Sequence, residues 1–163
     1  MFCIGDKVVH PMHGAGVIDG IVREKIGSST QDYYVFKMPV GGLVLKIPTS
    51  AGRSVGLRSV ADSSEATALL RSIAAMEVDM TSNWNRRYRE NMQRLKSGNM
   101  YEVARVIKGL AFRDRQKGLS NGERKMLHTA KQILISEMVL AMGQDYGEIE
   151  VQINAAMSGE MAR

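Results

Sequence analysis

The grammar of the chain changes once, near residue 61, and no other feature of its 163 residues limits the fold so strongly. Before that point, short β-branched and aromatic runs are broken by glycine and proline. Residues 6–10 make a strand candidate closed by Pro11. Residues 16–22 make a second, whose glycines point to bending or a bulge. Residues 32–38 are the clearest, preceded by a turn at 27–30. Gly41-Gly42 leads into 43–47, closed by Pro48, and 55–60 is a candidate fifth strand. Such a series predicts a small, strongly bent sheet or SH3-like barrel. After residue 61 glycine and proline thin out, and apolar residues recur every three and four positions. That spacing predicts helices over 62–80, 83–96, 100–116, 121–142 and 145–157. Asn99 with Glu102, and Ser120 with Glu123, have capping-box spacing. Gly98, Gly118 and Gly143 stop the helices before them. The short connections imply a compact antiparallel bundle. The expected fold is therefore α+β in two domains, 1–60 and 61–163, each small for a free-standing core and so expected to pack against its neighbour.

Charge is distributed unevenly. Residues 82–131 carry thirteen Lys/Arg against four Asp/Glu, a net +9, whereas 61–81 net −3 and 132–163 net −4. That pattern suits a basic face on a folded body meeting an anionic partner, or a solvated surface. Cys3 is the single cysteine, so neither an internal disulfide nor a cysteine-based zinc site is available. No apolar run reaches the roughly 20 residues of a membrane helix, and the start turns polar too soon for a signal peptide. These features lead us to expect a soluble protein of a reducing, cytoplasmic compartment, and we take a monomer as its expected state.

Catalytic patterns are missing. His10 and His13 would need Asp6 and Asp19 to converge with them before they held a metal, and a histidine-bearing turn is the better reading. Gly14-Ala15-Gly16 leads into a strand rather than a helix and misses the dinucleotide fingerprint. There is no phosphate-binding loop, no nucleophile elbow and no zinc-protease motif. We expect no catalytic residues, no metal and no cofactor.

The informative stretch is 81–96, with five basic residues against one acid. On a helix of about 100° per residue, Trp84, Tyr88, Met92 and Leu95 form one stripe. Arg86, Arg87 and Arg94 flank it on one side, Arg89 and Lys96 on the other. Core packing is the better reading for Tyr88, Met92 and Leu95. Trp84 opens the helix after the N-cap candidates Ser82 and Asn83, and local pattern leaves it open between exposed tool and core anchor. Arg113, Arg115 and Lys117 form a second basic cluster. Arg124 and Lys125 lie in the first turn of the fourth helix, where positive charge opposes the helix dipole.

Three segments together carry a family resemblance: Gly5-Asp6-x-Val8-Val9-x-Pro11-x-His13-Gly14-x-Gly16, Asn83-Trp84-x-Arg86-Arg87-Tyr88-Arg89, and Lys117-Gly118-Leu119-Ser120-x-Gly122-Glu123. In this order, over nearly the whole chain, they resemble the CarD/CdnL family of bacterial transcription regulators. The first segment is shared with the polymerase-interacting module of the transcription-repair coupling factor, and the other two are more specific. The resemblance implies a Tudor-like N-terminal domain docked on the β subunit of bacterial RNA polymerase. It also implies a helical domain on promoter DNA at the upstream edge of the bubble. There Trp84 would wedge into the minor groove while Arg86, Arg87 and Arg89, with Arg124 or Lys125, hold phosphates. On the polymerase side it implies Lys46 and a second basic contact at 23–25. Glu24 occupies the aligned position, with Arg23 and Lys25 beside it as candidates. Such a factor would stabilise the open complex without catalysis. The other readings are a protein-interaction adaptor whose basic helices serve only packing and solubility, and a free-standing DNA-architectural protein.

Overall fold

Alternation of buried and exposed residues builds an antiparallel sheet from β1 (Lys7–His10), β2 (Gly14–Ile26), β3 (Ser29–Lys37), β4 (Val44–Pro48) and β5 (Arg58–Ser59), in the order β4-β3-β2-β1-β5. The computed structural model describes residues 1–78 and 83–158. Val8, Ile18, Tyr34, Phe36, Met38 and Ile47 fill the inner face of the sheet. Gly16 is required here, because a Cβ would lie 2.8 Å from the Phe36 ring and 2.6 Å from the Lys37 carbonyl oxygen. The curl is Tudor-like. It is helped by a bulge between Ile18 and Gly20, where β2 carries one residue more than β3.

Two parts of the sheet differ from expectation. The β2–β3 hairpin is longer than the sequence pattern suggests and reaches Ile26 and Ser29. Its outer half is solvated on both faces, so no apolar alternation marks it. The expected fifth strand shrinks to Arg58–Ser59, because a short helical turn, α1 (Gly52–Val55), precedes it and ends at Gly56 with φ +87°.

The helical part consists of α2 (Ser63–Ser72), α3 (Trp84–Lys96), α4 (Met100–Lys117), α5 (Asn121–Met142) and α6 (Tyr146–Met157). Asp62, Asn83, Asn99, Ser120 and Asp145 each cap the helix they precede by accepting a backbone N–H. The first helix is shorter than expected. It ends at Ser72, and a 3₁₀ turn over Ile73–Ala75 follows. The Lys108 ammonium donates to the carbonyls of Ile73, Ala74 and Met76 at 2.7–2.9 Å, which closes the helix there. Burial holds that ammonium below its usual range. Residues 79–80 and Ser82, expected to be a helix end and an N-cap, lie outside the described residues, as do 159–163.

The longest helix, α5, runs through the core of the bundle and rests on the start of β2. There the Ser136 hydroxyl accepts the Ala15 N–H at 2.9 Å. The neighbouring Glu137 carboxylate receives both terminal nitrogens of Arg58 at 2.7 Å and the Ala61 N–H at 2.9 Å. Sheet and bundle are thus joined by direct hydrogen bonds into α5.

Candidate nucleic-acid interface

The amino ends of α3 and α5 meet at Trp84. Asn83 Oδ1 accepts the Arg86 N–H at 2.9 Å and starts α3 at the tryptophan. One turn on, Tyr88 supplies a platform, its ring stacked on the indole at 5.0 Å between centroids and 18° between planes. The indole N–H donates to Ser120 Oγ at 3.1 Å. Both rings lie over Gly122 in the first turn of α5. Trp84 remains 42% exposed, which resolves the choice left open by the sequence in favour of an outward-facing ring. Leu95 is buried, and Tyr88 and Met92 pack against the bundle core, as their spacing suggests.

The charged residues divide into two sets. Arg89, Arg124 and Lys125 are exposed, and the last two stand in the first turn of α5. Arg86 is exposed too and pairs with Glu90 at 2.9 Å. Arg87 corrects the expectation. Its guanidinium is buried against an equally buried Glu123, with Nε to Oε2 at 2.8 Å and a terminal nitrogen to Oε1 at 3.3 Å. A side chain so enclosed cannot hold a phosphate; it supports the site from below. The signal for this was half visible: the spacing of Ser120 and Glu123 marks a cap, but the partner lies 36 residues earlier on another helix.

Arg113 stands 4.0 Å from the same carboxylate, and its buried Nε has no hydrogen-bond partner. One carboxylate therefore faces two guanidinium groups beneath Trp84. Burial alone would raise the Glu123 carboxyl. The hydrogen bonds and charge of Arg87, with Arg113 and Ser120, outweigh that and hold it below its ordinary 4.5. Because the folded-state value lies below the unfolded one, this carboxylate stabilises the fold above about pH 4.5, and the contribution is lost as pH falls through the folded value. In melting curves taken from pH 6 downwards, Glu123→Gln should therefore flatten the acid loss of stability.

The sheet carries a second surface. Lys46 pairs in register with Val35, and Val35 with Gly20, so Lys46 shares its face with Val22, Glu24 and Tyr33. There the Lys46 ammonium is ion-paired with Glu24. Arg23 and Lys25 project from the other face, where Arg23 is paired with Asp32 at 2.9 Å. The structure does not bring Arg23, Lys25 and Lys46 together. Val22 and Val44 are exposed on the Lys46 face, and β4 is an edge strand.

Elsewhere, the rings of His10 and His13 lie 4.6 Å apart, and His10 Nδ1 accepts the Met12 N–H at 3.2 Å. Among the described residues, no group of three or more His, Cys, Asp or Glu side chains is placed to hold a metal. No described helix is long and apolar enough to cross a membrane.

Comparison with known proteins divides the chain in the same way. Residues 2–61 match the CarD-like/TRCF RID domain, and residues 68–154 match the CarD C-terminal domain. The chain is 36% identical over 143 residues to a Bacillus subtilis (strain 168) protein named "Putative transcription factor YdeB". The alignment covers 88% of this chain and 94% of that one.

Proposed function

The chain belongs to the CarD/CdnL family of transcription regulators, and from that premise we propose that it is a non-catalytic initiation factor bridging RNA polymerase and promoter DNA. The observation that carries this reading is Trp84: an exposed indole at two helix amino ends, backed by an aromatic ring, on the two helices that also present the exposed Arg89, Arg124 and Lys125. An apolar ring that enters a partly opened base step loses little stacking there, and the displaced base finds a new π face. Helix dipoles and basic side chains supply attraction to phosphate without reading sequence. Promoter choice therefore falls to the polymerase.

The β domain docks, on this reading, on the β subunit through the face that holds Lys46, Glu24, Val22 and Val44. The free edge of β4 is available to pair with a strand of the partner. Because this face presents an acid–base pair, a complementary pair on the polymerase suits it better than a purely acidic patch. The protein acts as a monomer and shifts the promoter toward the open state because it binds that state better than the closed one.

The test is the lifetime of open complexes formed by bacterial RNA polymerase holoenzyme on a linear promoter fragment, with and without this protein. A longer lifetime with the protein is expected; an unchanged lifetime despite polymerase binding returns the adaptor reading. A salt series separates the two charge sets. Alanine at Arg89, Arg124 or Lys125 should each lower the salt slope of the protein's effect by about one phosphate contact, uniformly across promoters. Equal slopes for all three variants and the native protein would remove these residues from the interface.

A further inference from the structure

We propose that Glu123 is the positioning residue for Trp84, acting through the Ser120 hydroxyl; this rests on the wedge reading above. A serine hydroxyl has one proton to give and two lone pairs to offer. At Ser120 all three have partners: Oγ approaches Glu123 Oε1 at 3.4 Å, the Glu123 N–H at 3.3 Å and the indole N–H at 3.1 Å. An ionised carboxylate only accepts. It therefore draws the hydroxyl proton toward itself and leaves both lone pairs for the two N–H donors. The carboxylate cannot turn away, because Arg87 from α3 grips both of its oxygens and Arg113 from α4 stands beside it. Three helices thus fix one oxygen atom, and that atom fixes the edge of the indole while Tyr88 fixes its inner face. The outer face is left for a base, and the ring reaches DNA already ordered.

Glutamine at 123 keeps the shape but offers an amide N–H to Ser120 Oγ, competing with the indole. Holding one side chain in place beforehand corresponds to a factor of between about twofold and about tenfold in binding. The experiment measures open-complex lifetime for the native protein, Glu123→Gln, Trp84→Ala and the double variant, with the intrinsic fluorescence of the free proteins. Trp84 is the sole tryptophan, so its emission reports this site alone. The expected result is a shorter lifetime for Glu123→Gln within that range, lower emission anisotropy, and no further loss when the substitution is made in the Trp84→Ala background. Equal losses in both backgrounds, or unchanged emission and lifetime, would overturn the proposal. If Trp84→Ala itself leaves lifetime unaltered, the wedge reading fails, whereas the anisotropy still decides whether Glu123 orders the ring. Should Glu123→Gln fold poorly with Arg87 left uncompensated, Ser120→Ala cuts the same link and leaves the ion pair intact. Ser120→Thr should restore both signals, and failure to do so would count against the proposal.

Discussion

Trp84→Ala is expected to shorten open-complex lifetime by roughly fivefold to a hundredfold relative to the native protein, approaching the value with no factor present. A base stacked on an aromatic side chain contributes about 1–3 kcal/mol, and alanine offers no ring at all. The substitution leaves the exposed Arg89, Arg124 and Lys125, proposed above to meet phosphates, untouched, so its effect should be nearly independent of salt. It should also cost little stability, because a ring 42% exposed forfeits far less on truncation than a core residue. The measurement is decay after challenge with competitor DNA, with melting temperature as control. A lifetime equal to that of the native protein would move the mechanism to the arginines or to docking alone.

The second large effect falls on the joint between sheet and bundle. Gly14 has φ +114°, and a Cβ there would overlap Ser136 Oγ and stand 3.3 Å from the Ile133 backbone. The conformation alone costs a non-glycine residue about 1–3 kcal/mol. Relieving the overlap costs about 1–3 kcal/mol more and breaks the bond from the Ala15 N–H to Ser136. Gly14→Ala should therefore destabilise by about 3 kcal/mol and lower the melting temperature by about 6–12 °C. Gly20→Ala serves as its control, since a Cβ at Gly20 meets nothing within 4 Å, and it should melt within about 2 °C of the native protein. If the two variants melt together, α5 does not seat on β2 as described.

Helix starts were legible because a cap is a local event. Asn83, Asn99, Ser120 and Asp145 each bond an N–H two or three residues on, within reach of any sequence window. The end of α2 was not, because the group that closes it, Lys108, arrives from α4. Arg87 was misread for the same reason. On its own helix it is one cation among several, and only Glu123 at the head of α5 makes it an interior residue. The separation of Arg23 and Lys25 from Lys46 was hidden for a different reason. Counting alternation from buried Ile18 places Arg23 and Lys25 on the outer face with Lys46. The extra residue at the bulge reverses the count, so Glu24 arrives there instead. The glycines of 16–22 point to a bulge but not to which residue goes unpaired, and that one residue decides which charge this face of the sheet presents.

The continuous helix α5 links Ser136, seated on β2, to its cap Ser120 under the indole, a span of roughly 24 Å at helical rise. A protein clamped to the polymerase at one end of such a strut carries its wedge at a set distance and a set angle about the DNA axis. Distance and angle are quantities a promoter varies through spacing, not through the letters at the contact. On the proposed function the strut would also make DNA binding intramolecular once docking has occurred, so that a wedge feeble in free solution is still filled on the polymerase. Such a factor would ignore the rest of the chromosome without needing any means of recognising it.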